Sequence, residues 1–321
     1  MKIAVVIPCF KVKKHLKDLL AKIPREVTGI FIVDDACPES SGDWVLANIK
    51  DKRIRVQILP KNLGVGGAVK AGYKQALTEG FEIMVKLDGD GQMNPKHIAK
   101  IVAPILRGEA DYVKGNRFFH PDFLEQMPKL RMIGNGILSF LNKLVSGYWD
   151  IMDPTNGYTA IHEQTLRLLP LDKIDNRYFF ESDMLFRLNI ARAVVQDVPM
   201  IALYADEESQ LNIGKVACSF PIKYLNRLPK RIFYNYILRD FNMGSISLLF
   251  GFLLTTFGIV FGARAWILGE FKHEEASSGT VMLAALPIIL GFQLLLFALQ
   301  YDILSIPRKS IRKLFEQDSI I

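Results

Sequence analysis

Two apolar runs near the end of the chain limit what it can fold into more than any other feature. Gly244 to Ile267 is apolar except for Arg264, and Thr280 to Tyr301 is apolar with Pro287 and Gln293 inside it. Each is close to the roughly 20 residues that a helix needs to cross a bilayer. A buried core hairpin is the alternative. The acidic stretch Gly269 to Gly279 between the runs and the basic segments that flank them argue instead for two transmembrane helices. The chain is 50% hydrophobic over 321 residues, and the excess lies after Met243, so the part before it has the composition of an ordinary soluble domain.

A net charge of +7 is compatible with nucleic acid, anionic lipid or phosphorylated substrates, and its location decides among them. Pro221 to Phe241 interleaves Lys223, Arg227, Lys230, Arg231 and Arg239 with Tyr224, Leu225, Phe233, Tyr234, Tyr236 and Ile237. That amphipathic pattern suits a lipid interface, and the expectation is that these cations dock the domain on anionic head groups, with no nucleic acid partner. Counting Lys223 to Arg239 and Arg308, Lys309, Arg312 and Lys313 as inside residues places both termini in the cytoplasm and the loop with Glu270, Glu274 and Glu275 outside. The expected organisation is a cytoplasmic domain 1–217, basic interfacial helices 218–243, spans 244–267 and 280–301 around an external loop 268–279, and a basic cytoplasmic tail 302–321 in a multi-pass inner (plasma) membrane protein. Three cysteines, Cys9, Cys37 and Cys218, lack metal-ligand spacing and form no even disulfide set, as reduced cytosolic thiols would. The apolar run at the N-terminus is too short for a signal peptide and reads as the start of a fold.

The first half alternates β-rich runs with helical stretches, the pattern of a mostly parallel sheet covered on both faces. Strands are expected at Ile3 to Ile7, Gly29 to Val33, Ile54 to Leu59, Glu82 to Leu87 and Asp111 to Lys114, with Tyr158 to Ile161 and Val194 to Tyr204 closing the sheet. Each of the first five ends where a binding loop can begin. The first runs into Pro8-Cys9-Phe10, and the second into Asp34-Asp35, carboxylates able to accept hydrogen bonds from a base or ribose or to cap the next helix.

The fourth strand ends in Asp88-Gly89-Asp90-Gly91-Gln92. In extended chain, alternate side chains share a face, so Asp88, Asp90 and Gln92 can address one ligand while the glycines let the backbone approach it. Hard oxygen donors in that arrangement suit Mg²⁺ or Mn²⁺, which bind through one or two carboxylates and substrate phosphates. An isolated Asp-x-Asp is more often a polar turn, so the rest of the chain has to support the reading. A calcium loop fails, because Met93 and Ala99 stand where its glycine and closing glutamate belong. Asn62 to Gly72 is neither a Walker loop nor a dinucleotide fingerprint; its Gly67, Ala68, Ala71 and Gly72 read as a helix packed closely on the sheet.

Ile-Pro-Cys-Phe near the start, Val33-Asp34-Asp35, Asn62-Leu63-Gly64, Leu87-Asp88-Gly89-Asp90-Gly91-Gln92 and Gly115-Asn116-Arg117 occur in the order that resembles family 2 glycosyltransferases of the GT-A fold. The resemblance is greatest to the polyprenyl-phosphate glycosyltransferases, the dolichyl-phosphate mannose synthase-like and bactoprenol glucosyltransferase enzymes, and it covers essentially the whole chain. It implies an α/β GT-A (Rossmann-like, mostly parallel sheet) catalytic domain plus two C-terminal transmembrane helices. It also implies inverting transfer of one sugar from a UDP- or GDP-sugar to undecaprenyl or dolichyl phosphate, and it leaves room for a homo-oligomer.

By the same resemblance Pro8, Phe10, Asp34 and Asp35 border the donor pocket, and Asp88, Asp90 and Gln92 hold the metal. Arg117 and Arg131 take phosphate, for which the planar guanidinium fork is suited. Asp153, in Asp153-Pro154-Thr155-Asn156-Gly157, falls in the acceptor half, and Glu181 or Asp183 supplies a carboxylate at the head of a helix under the site. Lys215, in the polar stretch Asp206 to Lys215, reaches a phosphate if that loop folds over substrate. Gly89 and Gly91 depart from the Asp-Ala-Asp-Leu-Gln form of the mannose synthases, which leaves the sugar open. A processive polysaccharide synthase is the enzymatic alternative, but the chain has no Gln-x-x-Arg-Trp motif and only two spans. A non-catalytic nucleotide-binding scaffold is the other, and the intact acidic motif argues against it.

Overall fold

A computed structural model of the chain describes residues 1–119, 129–200, 213–273 and 275–318, without the side chains of 129–133, 135, 213–218 and 316–318. The chain divides into two compact units, 1–228 with 307–321, and 229–306. The first is built on a seven-stranded sheet of order β3-β2-β1-β4-β6-β5-β7. Its strands are β1 (Ile3–Cys9), β2 (Val27–Asp34), β3 (Ile54–Ile58), β4 (Ile83–Lys86), β5 (Tyr112–Asn116), β6 (Thr159–His162) and β7 (Val195–Pro199). All pair in parallel except at β6, which runs antiparallel to both β4 and β5. The first six lie where the sequence places them, with ends moved by one or two residues. Of the expected closing segment Val194 to Tyr204, residues 195–199 form β7, while 201–204 fall outside the described residues.

Helices α1 (Lys13–Ala21), α2 (Ser41–Asn48), α3 (Val65–Thr78) and α4 (Ile98–Leu106) supply the crossovers. A parallel sheet covered on both faces needs apolar strands throughout, and every residue of β1 is buried. The α3 helix comes close to it because Gly72 has no side chain: a Cβ there would run into Val6 and stand 3.0 Å from Val33. The chain builds outward through β1, β2 and β3, then returns to the other side of β1 with β4. That reversal opens a crevice beyond the carboxyl ends of β1 and β4, the place where open α/β sheets bind ligands.

Beyond the sheet come α5 (Lys129–Ser146), α6 (Glu163–Leu168), α7 (Phe180–Ile190) and α8 (Ile213–Ile232). Helices α5, α7 and α8 meet around Val145, Phe179, Phe220 and Tyr224. Within that seam the Asn142 amide donates to Ser182 Oγ at 2.8 Å and to the Tyr224 hydroxyl at 3.2 Å, so the buried polar atoms are satisfied. After the second apolar helix the chain rejoins this unit. Ser310 Oγ donates to Gly108 O at 2.8 Å, and the buried Asp111 carboxylate accepts from Ile311 N at 2.9 and 3.0 Å, just before α11 (Ile311–Asp318). Two expected boundaries therefore move: 217 falls inside α8, and most of the expected tail 302–321 is part of the first unit.

The second unit holds a π-helical turn at Phe233–Leu238 and an antiparallel pair, α9 (Met243–Lys272) and α10 (Ser278–Leu304). Their mean hydropathies over the most apolar stretch are 2.1 and 2.4, and only 17% and 11% of those stretches is buried. A core hairpin of a soluble protein would be covered, so these helices are long and apolar enough to cross a membrane. Asn242 and Ser245 close a reciprocal capping box at the start of α9. Arg231 grips Asp302 with two nitrogens at 2.7 and 3.0 Å, and the Tyr236 hydroxyl reaches the same carboxylate.

These contacts correct the expectation of a free basic stripe. Lys223 pairs with Asp175 at 2.6 Å, Arg227 with Asp183 at 2.8 Å and Arg231 with Asp302, so three of the five cations are spent inside the molecule. An amphipathic pattern records which face is apolar. It does not record which acids the fold will bring to the charged face.

Candidate active site

The β4 strand carries an otherwise apolar run into the crevice, interrupted by Lys86, whose side chain is only 1% exposed. A buried ammonium is costly unless paired, and here it has two partners. Lys86 Nζ lies 2.7 Å from Asp88 Oδ1 and 3.1 Å from Glu181 Oε1, the latter presented by the first turn of α7. Burial alone would lower the lysine's pKa, but Asp88 and Glu181 outweigh it and the net direction is up. The ammonium therefore stays charged. Asp88 is 27% exposed, and its second oxygen makes no hydrogen bond among the described residues. Gly157 keeps that oxygen bare, since a Cβ there would stand 2.6 Å from Asp88 Oδ2 and also strike Lys86 Nζ.

Asp90 Oδ1 accepts from Gln92 N at 3.0 Å, an Asx turn that fixes both residues beside Asp88. No trio of His, Cys, Asp or Glu side chains converges on a closed metal site among the described residues. The donor set here is of another kind: two carboxylates and an amide on one short loop, with one Asp88 oxygen uncovered. It fits Mg²⁺ or Mn²⁺ completed by water and substrate phosphate oxygens.

Across β6 the same pattern repeats with a different outcome. Thr159 is in register with Lys86 on one side and Lys114 on the other. Lys114 Nζ donates to Asn156 O at 2.7 Å, and burial, partly offset by Glu181, Asp153 and Asp197, lowers its pKa to about 8. Arg117, at the end of β5, grips the fully buried Asp153 with Nε at 2.7 Å and a terminal nitrogen at 3.0 Å. The fork that the sequence reading reserved for phosphate is thus closed on a carboxylate that it reserved for the acceptor. Together these bonds latch the 153–157 loop to β5 and hold Gly157 over Asp88.

At β2, Asp34 accepts from Cys37 N at 2.7 Å and Gly42 N at 2.6 Å, and Asp35 accepts from Leu63 N at 2.6 Å and Gly64 N at 2.8 Å. Both carboxylates shape the loops beside the crevice. Pro8 is buried opposite Val33, while Phe10 stands 36% exposed at the crevice with the Lys11 ammonium 5.6 Å from its ring centre. Glu181 and Asp183 separate: Glu181 faces Lys86, whereas Asp183 is fully buried against Arg227, Arg187 and the Asp175 backbone N–H. Two residues along a helix are about 200° apart, so only one can face the site. Asp183 is corrected from a catalytic to a structural carboxylate. The side chains of Arg131 and Lys215, and residues 206–212 of the expected polar loop, lie outside the described residues, while 213–215 begin α8.

Sequence reading gave no site role to Lys86, Lys114 or Gly157, and it read Arg227 as an interfacial cation. A lysine within each of two apolar strands was a legible signal, because an ammonium in that position requires a buried acid or carbonyl as its partner.

Residues 4–168 match the family model described as Glycosyl transferase family 2. A UDP-N-acetylglucosamine–dolichyl-phosphate N-acetylglucosaminyltransferase from Methanococcus voltae is 29% identical over 237 residues, 69% of this chain and 93% of that protein. An undecaprenyl-phosphate mannosyltransferase from Micrococcus luteus is 28% identical over 62% of this chain and 83% of its own length. Among solved structures, glucosyl-3-phosphoglycerate synthase from Mycobacterium tuberculosis, in complex with Mn²⁺, UDP and glucosyl-3-phosphoglycerate, superposes with a TM-score of 0.54 at 18% identity, covering 71% of this chain and 80% of that one. The likeness is one of fold, and it agrees with the expected GT-A architecture carrying two C-terminal apolar helices.

Proposed function

Because the chain belongs to glycosyl transferase family 2, we propose that it transfers one sugar from a nucleoside diphosphate sugar to a polyprenyl phosphate at a membrane surface, with inversion. The observation that carries this reading is Asp88 and Asp90 at the switch point of the sheet, in a chain whose named relatives act on dolichyl and undecaprenyl phosphates. In the reaction an oxygen of the lipid phosphate bonds to the anomeric carbon as the bond to the donor's β-phosphate oxygen breaks, and the nucleoside diphosphate leaves. A divalent cation held by Asp88, Asp90 and Gln92 would offset the charge that develops on that leaving group. The acceptor needs little deprotonation, since a phosphate monoester has a second pKa of about 6. Positioning therefore matters more than a strong base. Lys86 holds Glu181 beside Asp88, and the Arg117–Asp153 pair fixes the loop that borders them.

The two apolar helices cross the membrane as a hairpin. Residues 1–228 and 307–321, on either side of the hairpin in the chain, belong to one compact unit, tied by Ser310 to Gly108 and by Ile311 to Asp111. Both ends of the chain then occupy one side, and the Lys and Arg residues flanking the hairpin make that side the cytoplasm. The experiment is a donor panel: labelled UDP- and GDP-sugars are incubated with the full-length protein and polyprenyl phosphate, followed by lipid extraction. A lipid-linked monosaccharide from one donor is the expected product. A polymer, or no labelled lipid with any donor, would overturn the reading.

A further inference from the structure

We propose that Lys86 makes divalent-metal binding at Asp88 depend on the donor diphosphate, so that cation and donor are taken up together and released together. The proposal rests on the metal reading above and adds a role for a residue that the reaction itself does not touch. Lys86 is a positioning residue: it is 1% exposed and cannot reach a substrate.

Its effect on Asp88 is twofold. Nζ at 2.7 Å occupies Oδ1, which leaves Oδ2 as the oxygen presented to the crevice. A carboxylate held in this way has part of the donor capacity of Oδ1 already engaged, which weakens it as a ligand through both oxygens. The ammonium also brings a positive charge next to the metal ligands, and there it repels a dication. Water does not screen it, because the group is buried. Glu181 adds a negative charge, but it is bound to the same ammonium at 3.1 Å.

The lysine has no alternative position. Thr159 faces it across the β4–β6 ladder, and Gly157 passes over its ammonium so closely that even a methyl group there would collide. The arrangement is not a general need of the fold. Lys114 lies on the other side of Thr159 and spends its ammonium on a backbone carbonyl, Asn156 O. Lys86 alone of the two is directed at the metal-binding motif.

A site weakened in this way needs more negative charge to hold a dication, and the diphosphate of the donor brings it. Coupling between two ligands is reciprocal, so the metal strengthens donor binding by the same factor. After transfer, departure of the nucleoside diphosphate takes away the charge that retained the cation.

Mn²⁺ binding to the full-length protein in detergent, followed by the electron paramagnetic resonance signal of free Mn²⁺, tests this without turnover. The wild type, Lys86→Met, Lys86→Arg and Asp88→Asn are titrated with Mn²⁺ alone and with UDP or GDP present. The wild type should bind Mn²⁺ at least about tenfold tighter with one of the diphosphates than without. Lys86→Met should bind Mn²⁺ alone at least about tenfold tighter than the wild type, and the gain from diphosphate should shrink. Folded Lys86→Arg, which keeps the charge in a larger group, should retain the dependence of Mn²⁺ binding on diphosphate. Folded Lys86→Met that binds Mn²⁺ no tighter than the wild type overturns the proposal. If that variant does not fold, the wild-type titrations decide, and equal Mn²⁺ affinity with and without either diphosphate overturns it. Failure of the metal reading itself looks different: Asp88→Asn would then bind Mn²⁺ as the wild type does, in every condition.

Discussion

Helix α7 contributes to two ionic clusters, and their difference separates chemistry from architecture. At one, Asp88 and Glu181 share the Lys86 ammonium, and Asp88 keeps one oxygen uncovered at the crevice. At the other, Asp183 meets Arg227 and Arg187, accepts from the Asp175 N–H, and is fully buried. Each is an ionic cluster around one buried charge, the Lys86 ammonium in the first and the Asp183 carboxylate in the second, and both would look alike in a census of salt bridges. What distinguishes them is whether any acceptor capacity is left for a ligand.

The comparison breaks most visibly if the two carboxylates are neutralised in turn. Asp88→Asn should lower transfer by about 10²-fold or more with a smaller loss of thermal stability than Asp183→Asn, because an electrostatic contribution to the transition state is lost while Glu181 still pairs with the Lys86 ammonium. Asp183→Asn should do the reverse. It leaves Arg227 and Arg187 without their counter-ion, a loss of about 3–5 kcal/mol in comparable buried pairs, while the protein that remains folded keeps turnover within about tenfold. Thermal unfolding and initial rates on the same preparations check both. Equal loss of stability in the two variants would erase the distinction.

A second test crowds the open oxygen, and the Lys86 ammonium beside it, without removing any charged group. Gly157→Ala places a methyl group against Asp88 Oδ2. Turnover should fall by about 10²-fold, the cost of displacing a catalytic group by about an ångström, and the Mn²⁺ requirement should rise. Unchanged Mn²⁺ dependence would mean that Oδ2 is not the oxygen used.

The smallest effect concerns stability against pH at the back of the latch. Burial raises the Asp197 pKa to about 6 from its ordinary 3.8, a shift only partly offset by Met152 N–H and Lys114. Between those values the folded state holds a proton that the unfolded state has lost. The stabilisation is therefore full below about pH 4 and lost as pH rises through about 6. Asp197→Asn should flatten the stability profile across that window, as read by thermal unfolding from pH 4 to 7. An unaltered slope would assign it to another group.

Most of the sheet was legible because its strands are short apolar runs ending in turn residues, and Asp88-Gly89-Asp90 could be placed at a strand end from the pattern alone. Partners were not. Nothing local in the sequence tells that Arg117 closes on Asp153, 36 residues away, or that Arg227 closes on Asp183. Charge choice was misread for the same reason: Lys223 and Arg227 looked like lipid-facing cations until α7 and the 175 turn supplied their acids. Long-range pairing is decided by the fold, whereas local extension and the Asx turn at Asp90 are decided by the residues themselves.

The most direct test of the account is the rate at which the full-length protein forms lipid-linked monosaccharide from its nucleotide sugar, with Mn²⁺ and then in excess EDTA, beside Asp90→Asn. The account predicts transfer that chelation abolishes and Mn²⁺ restores, with Asp90→Asn folded and nearly inactive in both conditions. Full turnover in excess EDTA, or an Asp90→Asn enzyme as fast as the wild type, would contradict it.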